Sequence, residues 1–541
     1  MCGFLAESKT KVSDQELLMR AERLQHRGPD QTISSFGSEA RFVFHRLSIM
    51  DLSDSGQQPF HYQGLSSVCN GEIYNDVELR ELLSSDYEFK SGSDCESLIP
   101  LYLKYGIDGL VDKIDGEYAF TLYDEKKKAV FAGRDPMGIR PLFYCKPISG
   151  GILFASEAKA LTELDGEVIP FPPGHYYDGV QDRFIPFMKL WESAADTKVS
   201  LAELGTQINH LLTKAVEKRL RSDAPVGFLL SGGLDSSLVC AIAARLSDKP
   251  ITTFSVGIEN GPIDTFYARE VAEYLGSEHH EYLFSKDEML AHLDELVHQL
   301  ETWDITTVRA SMGMSLLCRY IRRETPIKVV LTGEVSDEIF GYKYTDYAPS
   351  PQAFQDEAAK RVEELYVYDV LRADRCISMH GLEARVPFSD PDFVSYVMSI
   401  DPSIKMNSYG IGKYLLRHAF EAGDYLPKGI LYREKAAFSD AVGHSMVDLL
   451  KELAEQSYSD EEFEVGRAKY EYAQPFTKES LLYRDIFESH FPGQAKLIPD
   501  FWMPNKSWEN CDVDDPSARV LPNYGASGSA PSLSQKKDKP A

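Results

Sequence analysis

The chain has 541 residues, of which 43% are hydrophobic, and this length predicts two or three domains with separate cores. Its formal net charge of −27 argues against nucleic acid as a partner, because proteins that bind nucleic-acid phosphates carry basic patches. The sequence has no run of eighteen apolar residues that predicts a membrane span and no apparent secretory signal, and its eight cysteines, none in a C-x-x-C pair, indicate reduced thiols in a cytoplasmic protein.

The chain begins with a cysteine directly after Met1. Removal of Met1 would leave Cys2 with a free α-amino group, whose pKa near 8 suits it to act as a base toward its own thiol. Cysteine at this position is more often accidental, so Cys2 needs support from the rest of the chain. Apolar residues at helical spacing then predict a helix at about 15–25.

Six short motifs follow in the first 150 residues. Taken singly they are ordinary: Asn70-Gly71 is a hairpin signal, and Asp135-Pro136 is a turn signal. Taken in order, they resemble the glutaminase domain of the class II amidotransferases with an N-terminal cysteine, over residues 2–190. The motifs are His26–Asp30, His45–Asp51, Cys69–Asn75, Ser91–Glu96, Asp115–Phe120 and Gly133–Leu142.

This resemblance implies an α+β fold of the N-terminal nucleophile type, an αββα sandwich in which Cys2 attacks the side-chain amide of glutamine. Asn70 and Gly71 would donate hydrogen bonds to the oxyanion. Arg46 would pair with the carboxylate of glutamine and Asp94 with its ammonium group, since these charges are complementary. The remaining residues of the implied glutamine pocket are Leu47, Ser48, Ile49, Met50 and Glu72.

The composition changes near residue 165, where prolines and a polar stretch predict a linker at 191–205. Beyond it, segments of strand and helix character alternate, which predicts an α/β domain at 206–505 with a parallel sheet and ligands at the carboxyl ends of its strands. The predicted strands lie at 226–230, 251–258, 279–284 and 327–331, and the predicted helices at 203–221, 264–276 and 286–300. From about 350 the periodicity is helical, with one helix predicted at 357–372.

A glycine-rich turn joins the first of these strands to a helix. Ser231, Gly232 and Gly233 allow the backbone to approach an anion, and the helix N-terminus adds free N–H groups. Asp235 would repel a naked phosphate, so it requires a divalent cation between them, with the oxygen ligands that Mg²⁺ prefers. The turn resembles the PP-loop of the ATP pyrophosphatases, which cleave ATP between the α and β phosphates.

Residues 2–505 together resemble the family of the glutamine-hydrolysing asparagine synthetases, through both signatures and the strings at 301–311, 371–375, 383–388, 438–440 and 515–519. The resemblance implies L-glutamine, L-aspartate and ATP as substrates and Mg²⁺ as cofactor, with a homodimer as the candidate assembly. The implied roles are AMP binding by Leu230, Val256, Thr332 and Gly333; pyrophosphate binding by Ser231, Gly232, Gly233, Asp235 and Ser236; Mg²⁺ binding by Asp235 and Asp337; support of the acyl-adenylate by Glu334; and contact with the aspartyl group by Thr306, Thr307 and Arg309. Lys435, in a charged segment, is the candidate for stabilising the phosphates, because a basic residue near them would stabilise the transition state at the α-phosphorus.

Some positions depart from the family pattern. Val335 stands where the family usually has glycine, and valine fits poorly if the backbone there needs a positive φ. Thr332 replaces a serine, the segment 340–347 lacks a doubled glycine, and Ser389 replaces a leucine. Three alternatives therefore stay open: an amidotransferase for another carboxylic acid, a ring-closing enzyme similar to beta-lactam synthetases, and a non-catalytic regulator that binds glutamine and ATP. Residues 506–541 are predicted to form a polar, largely disordered tail.

Overall fold

The computed structural model describes residues 1–191, 199–259, 263–434 and 444–525. The N-terminal part contains two six-stranded antiparallel sheets, with strand orders β10-β8-β9-β1-β3-β2 and β12-β11-β7-β6-β5-β4. Its strands are β1 (Gly3–Ser8), β2 (Gln31–Phe36), β3 (Ala40–Arg46), β4 (Phe60–Tyr62), β5 (Leu65–Ile73), β6 (Gly116–Asp124), β7 (Ala129–Arg134), β8 (Phe143–Cys145), β9 (Ile152–Ala155), β10 (Val168–Pro170), β11 (His175–Asp178) and β12 (Arg183–Pro186). Its helices are α1 (Asp14–Glu22), α2 (Asp76–Leu83) and α3 (Leu98–Lys113).

The two sheets pack face to face because alternate residues of each strand point to opposite sides. On β1, Phe4 and Ala6 face the second sheet, whereas Leu5 packs against α1 on the outside. Helices α2 and α3 cover the outer face of the second sheet through residues such as Leu79 and Leu101. The predicted αββα sandwich is therefore confirmed.

The second part of the chain forms around a five-stranded parallel sheet with the order β15-β14-β13-β16-β17. The predicted parallel-sheet domain is confirmed, and Gly276, predicted to end a helix, caps α6 with φ +65°. The strands are β13 (Val226–Leu229), β14 (Thr252–Ile258), β15 (Glu278–Phe284), β16 (Val329–Leu331) and β17 (Glu383–Arg385). The helices within this part are α4 (Leu201–Arg219), α5 (Leu234–Leu246), α6 (Asp264–Leu275), α7 (Lys286–Leu300), α8 (Ile305–Glu324) and α9 (Ser336–Phe340).

The rest of the chain is mainly helical. The single helix predicted at 357–372 is wrong, because the chain turns at Tyr368, with φ −124° and ψ −92°, and starts a new helix there. The helices are α10 (Pro351–Glu364), α11 (Asp369–Ser378), α12 (Pro391–Ser399), α13 (Pro402–Lys405), α14 (Tyr414–Ala419), α15 (Lys428–Leu431), α16 (His444–Ser457), α17 (Asp460–Arg467) and α18 (Lys478–His490). Among the described residues, no helix combines the length and apolar character needed to cross a bilayer.

Residues 506–525, which we expected to belong to a disordered tail, instead pack against the second domain. Trp508, Cys511 and Leu521 are buried together with Tyr344 and Phe354. The composition of this segment is polar, but a few apolar residues at irregular spacing suffice to anchor it, and irregular spacing has no recognisable period. The remainder of the predicted tail, 526–541, lies outside the described residues.

A buried cluster of charges joins the two domains. Arg27, from the turn after α1, makes a bidentate pair with Asp374 of α11, with N···O distances of 2.8 and 3.0 Å, and a third contact of 2.6 Å with Glu157. Arg375, next to Asp374, pairs with Glu157 and with Glu301. These opposite charges hold the pKa of Glu157 well below its ordinary value despite its burial. Residues of the two domains therefore share one desolvated ion network.

Replacing Asp374 with alanine should destabilise the protein strongly, because it leaves the buried guanidinium of Arg27 with one carboxylate fewer. Loss of one partner of a buried ion pair costs about 3–5 kcal/mol, which corresponds to a fall of roughly 3–4 °C in Tm for a chain of 541 residues that unfolds as one unit. Differential scanning calorimetry measures this fall. Glu163→Ala is the control, since Glu163 pairs with Arg23 at the surface and such pairs contribute about 1 kcal/mol or less. Equal Tm changes for both variants would contradict the expectation.

Candidate active sites

The predicted nucleophile lies at the start of β1, beside the boundary between the domains. The Cys2 thiol donates a hydrogen bond to the carbonyl oxygen of Leu47 at 3.7 Å, and the Nε of Arg27 donates to the Cys2 carbonyl at 2.9 Å. Burial raises the pKa of the Cys2 thiol to about 11, although the nearby ammonium group of Met1 lowers it. The Met1 ammonium is itself buried, with its pKa lowered to about 5, and donates to the carbonyl of Leu382 at 2.8 Å.

Asn70 and Gly71 lie in β5, which is central in the second sheet. The Asn70 side chain is fully buried, and neither its nitrogen nor its oxygen has a hydrogen-bond partner among the described residues. A buried amide without hydrogen bonds destabilises the folded protein unless a ligand supplies the missing partner, and an oxyanion that accepts from the amide nitrogen would do so. Gly71 has φ +145°, and a Cβ there would lie 2.1 Å from the carbonyl oxygen of Glu117, so a side chain does not fit.

The predicted carboxylate-binding residue, Arg46, ends β3 with a buried guanidinium. This group donates to Gln31 Oε1 at 3.2 Å, to the carbonyl of Ser53 at 2.8 Å and to the carbonyl of Asp51. Arg46 thus holds the loop that follows it. Within that loop Leu47 and Ile49 are buried, whereas Ser48 and Met50 are half-buried.

Glu72 and Asp94, predicted to serve the ammonium end of glutamine, are both buried. The pKa of Glu72 is raised well above its ordinary value by burial and by the neighbouring Asp94, although Arg385, 3.5 Å away, opposes the shift. Burial also raises the pKa of Asp94, whose carboxylate accepts a hydrogen bond from the backbone N–H of Ile73 at 2.5 Å. Two carboxyl groups of this kind favour a cation beside them, because it lowers the repulsion between them.

The second candidate site is a cavity of about 220 Å³ at the carboxyl ends of β13, β14 and β16. Ten of the residues predicted there, together with Thr306 and Arg309, line it. The hydroxyl groups of Thr306 and Thr332 are buried without a hydrogen-bond partner among the described residues, as expected of groups that complete their bonds with a ligand. The lining includes Leu230, Ser231, Gly233, Asp235, Ser236, Val256, Thr306, Arg309, Thr332, Gly333, Glu334 and Asp337.

The glycine-rich turn wraps closely around the start of α5. Ser236 Oγ accepts from the backbone N–H of Ser231 at 3.2 Å, and Ser231 Oγ accepts from that of Gly233 at 3.2 Å. Gly232, which does not line the cavity, has φ +71°, and a Cβ there would lie 2.5 Å from the backbone of α6. A Cβ on Gly333 would lie 2.7 Å from the backbone nitrogen of Ser236, so the two loops meet at a point where only glycine fits.

Of the three residues predicted to contact the aspartyl group, two line the cavity and one does not. Thr306 faces the cavity, but Thr307 does not line it. Thr307 lies in the first turn of α8, where its backbone N–H and its hydroxyl donate to the capping carboxylate of Asp304 at 2.8 and 2.7 Å. Arg309 reaches the cavity wall, yet four of its five N–H groups bond to Glu479, Asp515 and Ser517. The guanidinium of Arg309 therefore fastens the C-terminal segment to α8.

Glu334 and Val335 follow Thr332 and Gly333 in the same loop. The carboxylate of Glu334 forms a bidentate pair with Arg372 of α11, at 2.5 and 3.3 Å. Val335 adopts the left-handed conformation with φ +80° and ψ −20°, and its side chain is buried. The loop thus has the backbone conformation that glycine would favour. For valine this conformation costs about 1–3 kcal/mol, and burial of the Val335 side chain offsets that cost.

Asp235 and Asp337 lie in the first turns of α5 and α9, and Lys413 Nζ contacts both, at 2.8 and 2.6 Å. Two converging carboxylates are the usual protein contribution to a Mg²⁺ site completed by phosphate oxygens and water. No cluster of three or more potential metal ligands occurs among the described residues. Lys435 lies outside the described residues.

Three further residues that the sequence analysis did not predict also line the cavity: Lys413, Arg372 and Glu338. The only sequence signal for Lys413 is the pair of glycines, Gly410 and Gly412, before it.

Comparisons with known proteins agree with both halves of the chain. A model of the asparagine synthase family matches residues 207–357 and 346–518, and a model of the glutamine amidotransferase domain matches residues 1–170. The glutamine-hydrolyzing asparagine synthetase of Cricetulus griseus is 40% identical, over 98% of this chain and 100% of the relative. That of Homo sapiens is 38% identical, over 97% and 99%. A probable asparagine synthetase of Acanthamoeba polyphaga mimivirus is 41% identical, over 96% and 100%.

Proposed function

This chain belongs to the family of the glutamine-hydrolysing asparagine synthetases, and from that membership we propose that it makes L-asparagine from L-aspartate, glutamine and ATP. The observation that carries the proposal is the presence of two different sites in one chain. One contains the Cys2 thiol and the unpartnered buried amide of Asn70, and the other contains a glycine-rich phosphate loop and two carboxylates. A nitrogen freed at the first site is the nucleophile that the second site needs.

At the first site, Cys2 Sγ attacks the side-chain carbonyl carbon of glutamine. The carbonyl oxygen becomes an oxyanion that Asn70 and Gly71 stabilise, a contribution worth about 100-fold or more in rate. The amide nitrogen leaves as ammonia, and water then cleaves the thioester to glutamate and the free thiol. Arg46 and the Glu72–Asp94 pair orient the two charged ends of glutamine, so that only the side-chain amide faces the thiol.

At the second site, an oxygen of the β-carboxylate of aspartate attacks the α-phosphorus of ATP, and pyrophosphate leaves. This step is needed because a carboxylate is a poor acyl donor, whereas its mixed anhydride with AMP is a good one. Ammonia then attacks the acyl carbon and AMP departs, which gives asparagine. Mg²⁺ bound by Asp235 and Asp337 would neutralise phosphate charge, and Glu334 and Thr306 lie on the wall beside the reacting groups.

The product distribution tests this proposal. Mass spectrometry after incubation with ATP, aspartate and glutamine should find asparagine, glutamate, AMP and pyrophosphate in equal amounts. An acceptor screen that follows pyrophosphate release should single out aspartate among carboxylic acids. Pyrophosphate release with another acid, and none with aspartate, would mean that the same two sites serve a different acceptor.

We also propose a cytoplasmic location, because all eight cysteines are free thiols.

Retention of Met1 should suppress glutamine hydrolysis. With Met1 attached, the nitrogen of Cys2 is an amide and cannot act as a base, and burial raises the thiol pKa to about 11. Because this pKa is raised, only about one thiol in a thousand is ionised at pH 8, and reactivity should increase as the pH rises toward 11. Processed protein should instead react at pH 7.5, because its α-amino group has a pKa near 8.

Alkylation by iodoacetamide, followed at Cys2 by mass spectrometry between pH 7 and 10, measures this difference. Cys145, a buried thiol on β8 that both forms share, is the internal control. Equal alkylation rates of processed and unprocessed Cys2 across this range would contradict the role given to the α-amino group.

A further inference from the structure

A buried lysine lies between the two carboxylates assigned to the metal. Lys413 Nζ is 2.8 Å from Asp235 Oδ1 and 2.6 Å from Asp337 Oδ1, and it donates to Ser336 Oγ at 2.9 Å. Ser336 Oγ in turn donates to Asp235 Oδ1 at 2.7 Å. One ammonium group thus bridges the first turn of α5 and the first turn of α9.

The backbone at Lys413 is held in a conformation that lysine seldom adopts. Its φ is +58° and its ψ is +33°, in the left-handed region, immediately before α14. Arg417 fastens this turn, since its backbone N–H donates to the carbonyl of Lys413 at 3.1 Å and its Nε donates to that of Gly412 at 2.8 Å. Unusual backbone of this kind persists where the surroundings enforce it, and here it directs the side chain to the two carboxylates.

The ammonium group and a divalent cation need the same oxygen atoms. Mg²⁺ binds carboxylate oxygens at about 2.0–2.1 Å, so a metal shared by Asp235 and Asp337 would lie almost where Lys413 Nζ lies. Two cations this close in a buried site repel each other strongly. Binding of the metal between these carboxylates therefore requires the ammonium group to move.

We propose, on the basis of the proposed function, that Lys413 is a resident counter-cation that gives up Asp235 and Asp337 to Mg²⁺ only when phosphates arrive with the metal. The ammonium group then transfers from the carboxylates to the phosphate oxygens, so its charge stays paired throughout. When Mg²⁺ arrives without phosphates, the displaced ammonium group loses its ion pairs with the two carboxylates and gains no phosphate oxygens in exchange. Lys413 is thus a positioning residue that makes metal binding depend on the triphosphate.

Isothermal titration calorimetry with two titrants tests this inference. Wild-type protein is titrated with MgCl₂ alone and with preformed Mg²⁺–pyrophosphate, and the same is done for Lys413→Met. The variant should bind Mg²⁺ alone at least tenfold more tightly than the wild type, because the competing cation is gone. It should bind Mg²⁺–pyrophosphate at least tenfold more weakly, because the ammonium–phosphate contact is lost. Lys428→Met, an exposed lysine on α15, is the matched control and should match the wild type.

Opposite changes for the two titrants separate this role from a merely structural one, which would weaken both. The inference is overturned if Lys413→Met binds Mg²⁺ alone no more tightly than the wild type. It is also overturned if the wild type binds MgCl₂ as tightly as Mg²⁺–pyrophosphate, a comparison that needs no variant and so survives a failure of Lys413→Met to fold. Asparagine formation, assayed separately, tells whether the proposed function fails instead, because these affinities do not depend on the acceptor.

Discussion

Replacement of Cys2 by alanine should abolish glutamine-dependent asparagine synthesis while ammonia-dependent synthesis continues. Alanine removes the only atom that forms the thioester, and loss of a catalytic nucleophile costs about 10³-fold or more in rate. Cys2 does not line the second cavity, so the rate of that site with ammonium chloride should stay within about twofold of the wild type. Both rates are measured as asparagine formed, with glutamine or ammonium chloride as the nitrogen source.

Cys145→Ala is the control for this substitution, since Cys145 is a buried thiol of the same domain that lies on β8. It should leave both nitrogen sources usable. Loss of ammonia-dependent synthesis in Cys2→Ala would show that the two sites are not chemically separable. Retention of glutamine-dependent synthesis would remove Cys2 from the reaction.

Gly333→Ala should have the reciprocal effect. A Cβ on Gly333 would lie 2.7 Å from the backbone nitrogen of Ser236 and 3.0 Å from the carbonyl carbon of Asp235, so the loop after β16 and the glycine-rich turn must move apart. Displacement of reacting groups by about 1 Å lowers rates by about 100-fold. Formation of AMP and pyrophosphate should therefore fall by about 100-fold or more, while glutamine hydrolysis stays within about twofold.

The matched control is Gly429→Ala on α15, where a Cβ would meet nothing closer than 4.0 Å. Release of pyrophosphate and of glutamate, followed in parallel assays, gives both activities for each variant. Full pyrophosphate release by Gly333→Ala would mean that the close contact between the two loops has no part in holding the phosphates.

Local patterns predicted the parallel-sheet domain, whereas the αββα sandwich was expected from the family resemblance. Short apolar and β-branched runs predicted strands of the parallel sheet, and the glycine-rich turn after Leu230 predicted a ligand site at the ends of β13 and β16. These features depend on residues close together in the chain, so one sequence contains them. The resemblance to a known family added the roles of individual residues, of which Thr306, Thr332 and Glu334 do line the cavity.

The contacts missed by the sequence analysis are long-range. Arg309 is engaged by Glu479 and Asp515, which lie 170 and 206 residues away, and these partners cannot be recognised from local spacing. This contact and the buried side chains of Trp508, Cys511 and Leu521 hold residues 506–525 against the second domain, although their composition is that of a loop. Lys413 meets Asp235 from 178 residues away, and its left-handed backbone has no sequence signal stronger than the glycines before it.

Val335 shows a further limit of local patterns. The family usually has glycine at this position, and valine fits poorly where the backbone needs a positive φ. The structure instead retains φ +80°, because the flanking Glu334 is held by Arg372 and the Val335 side chain is buried among apolar residues such as Ile339. Tertiary contacts thus override the backbone preference of a β-branched residue, and the departure leaves the cavity wall in place.

The shared nitrogen is tested most directly by an isotope competition. The enzyme is supplied with aspartate, ATP, glutamine labelled with ¹⁵N at the side-chain amide and a large excess of unlabelled ammonium chloride at pH 7, where free ammonia is mostly protonated and unreactive. If nitrogen released at Cys2 passes directly to the acyl-adenylate, the amide of the asparagine formed should carry mostly ¹⁵N. Asparagine labelled only in proportion to the mixed ammonium pool would contradict direct transfer between the two sites.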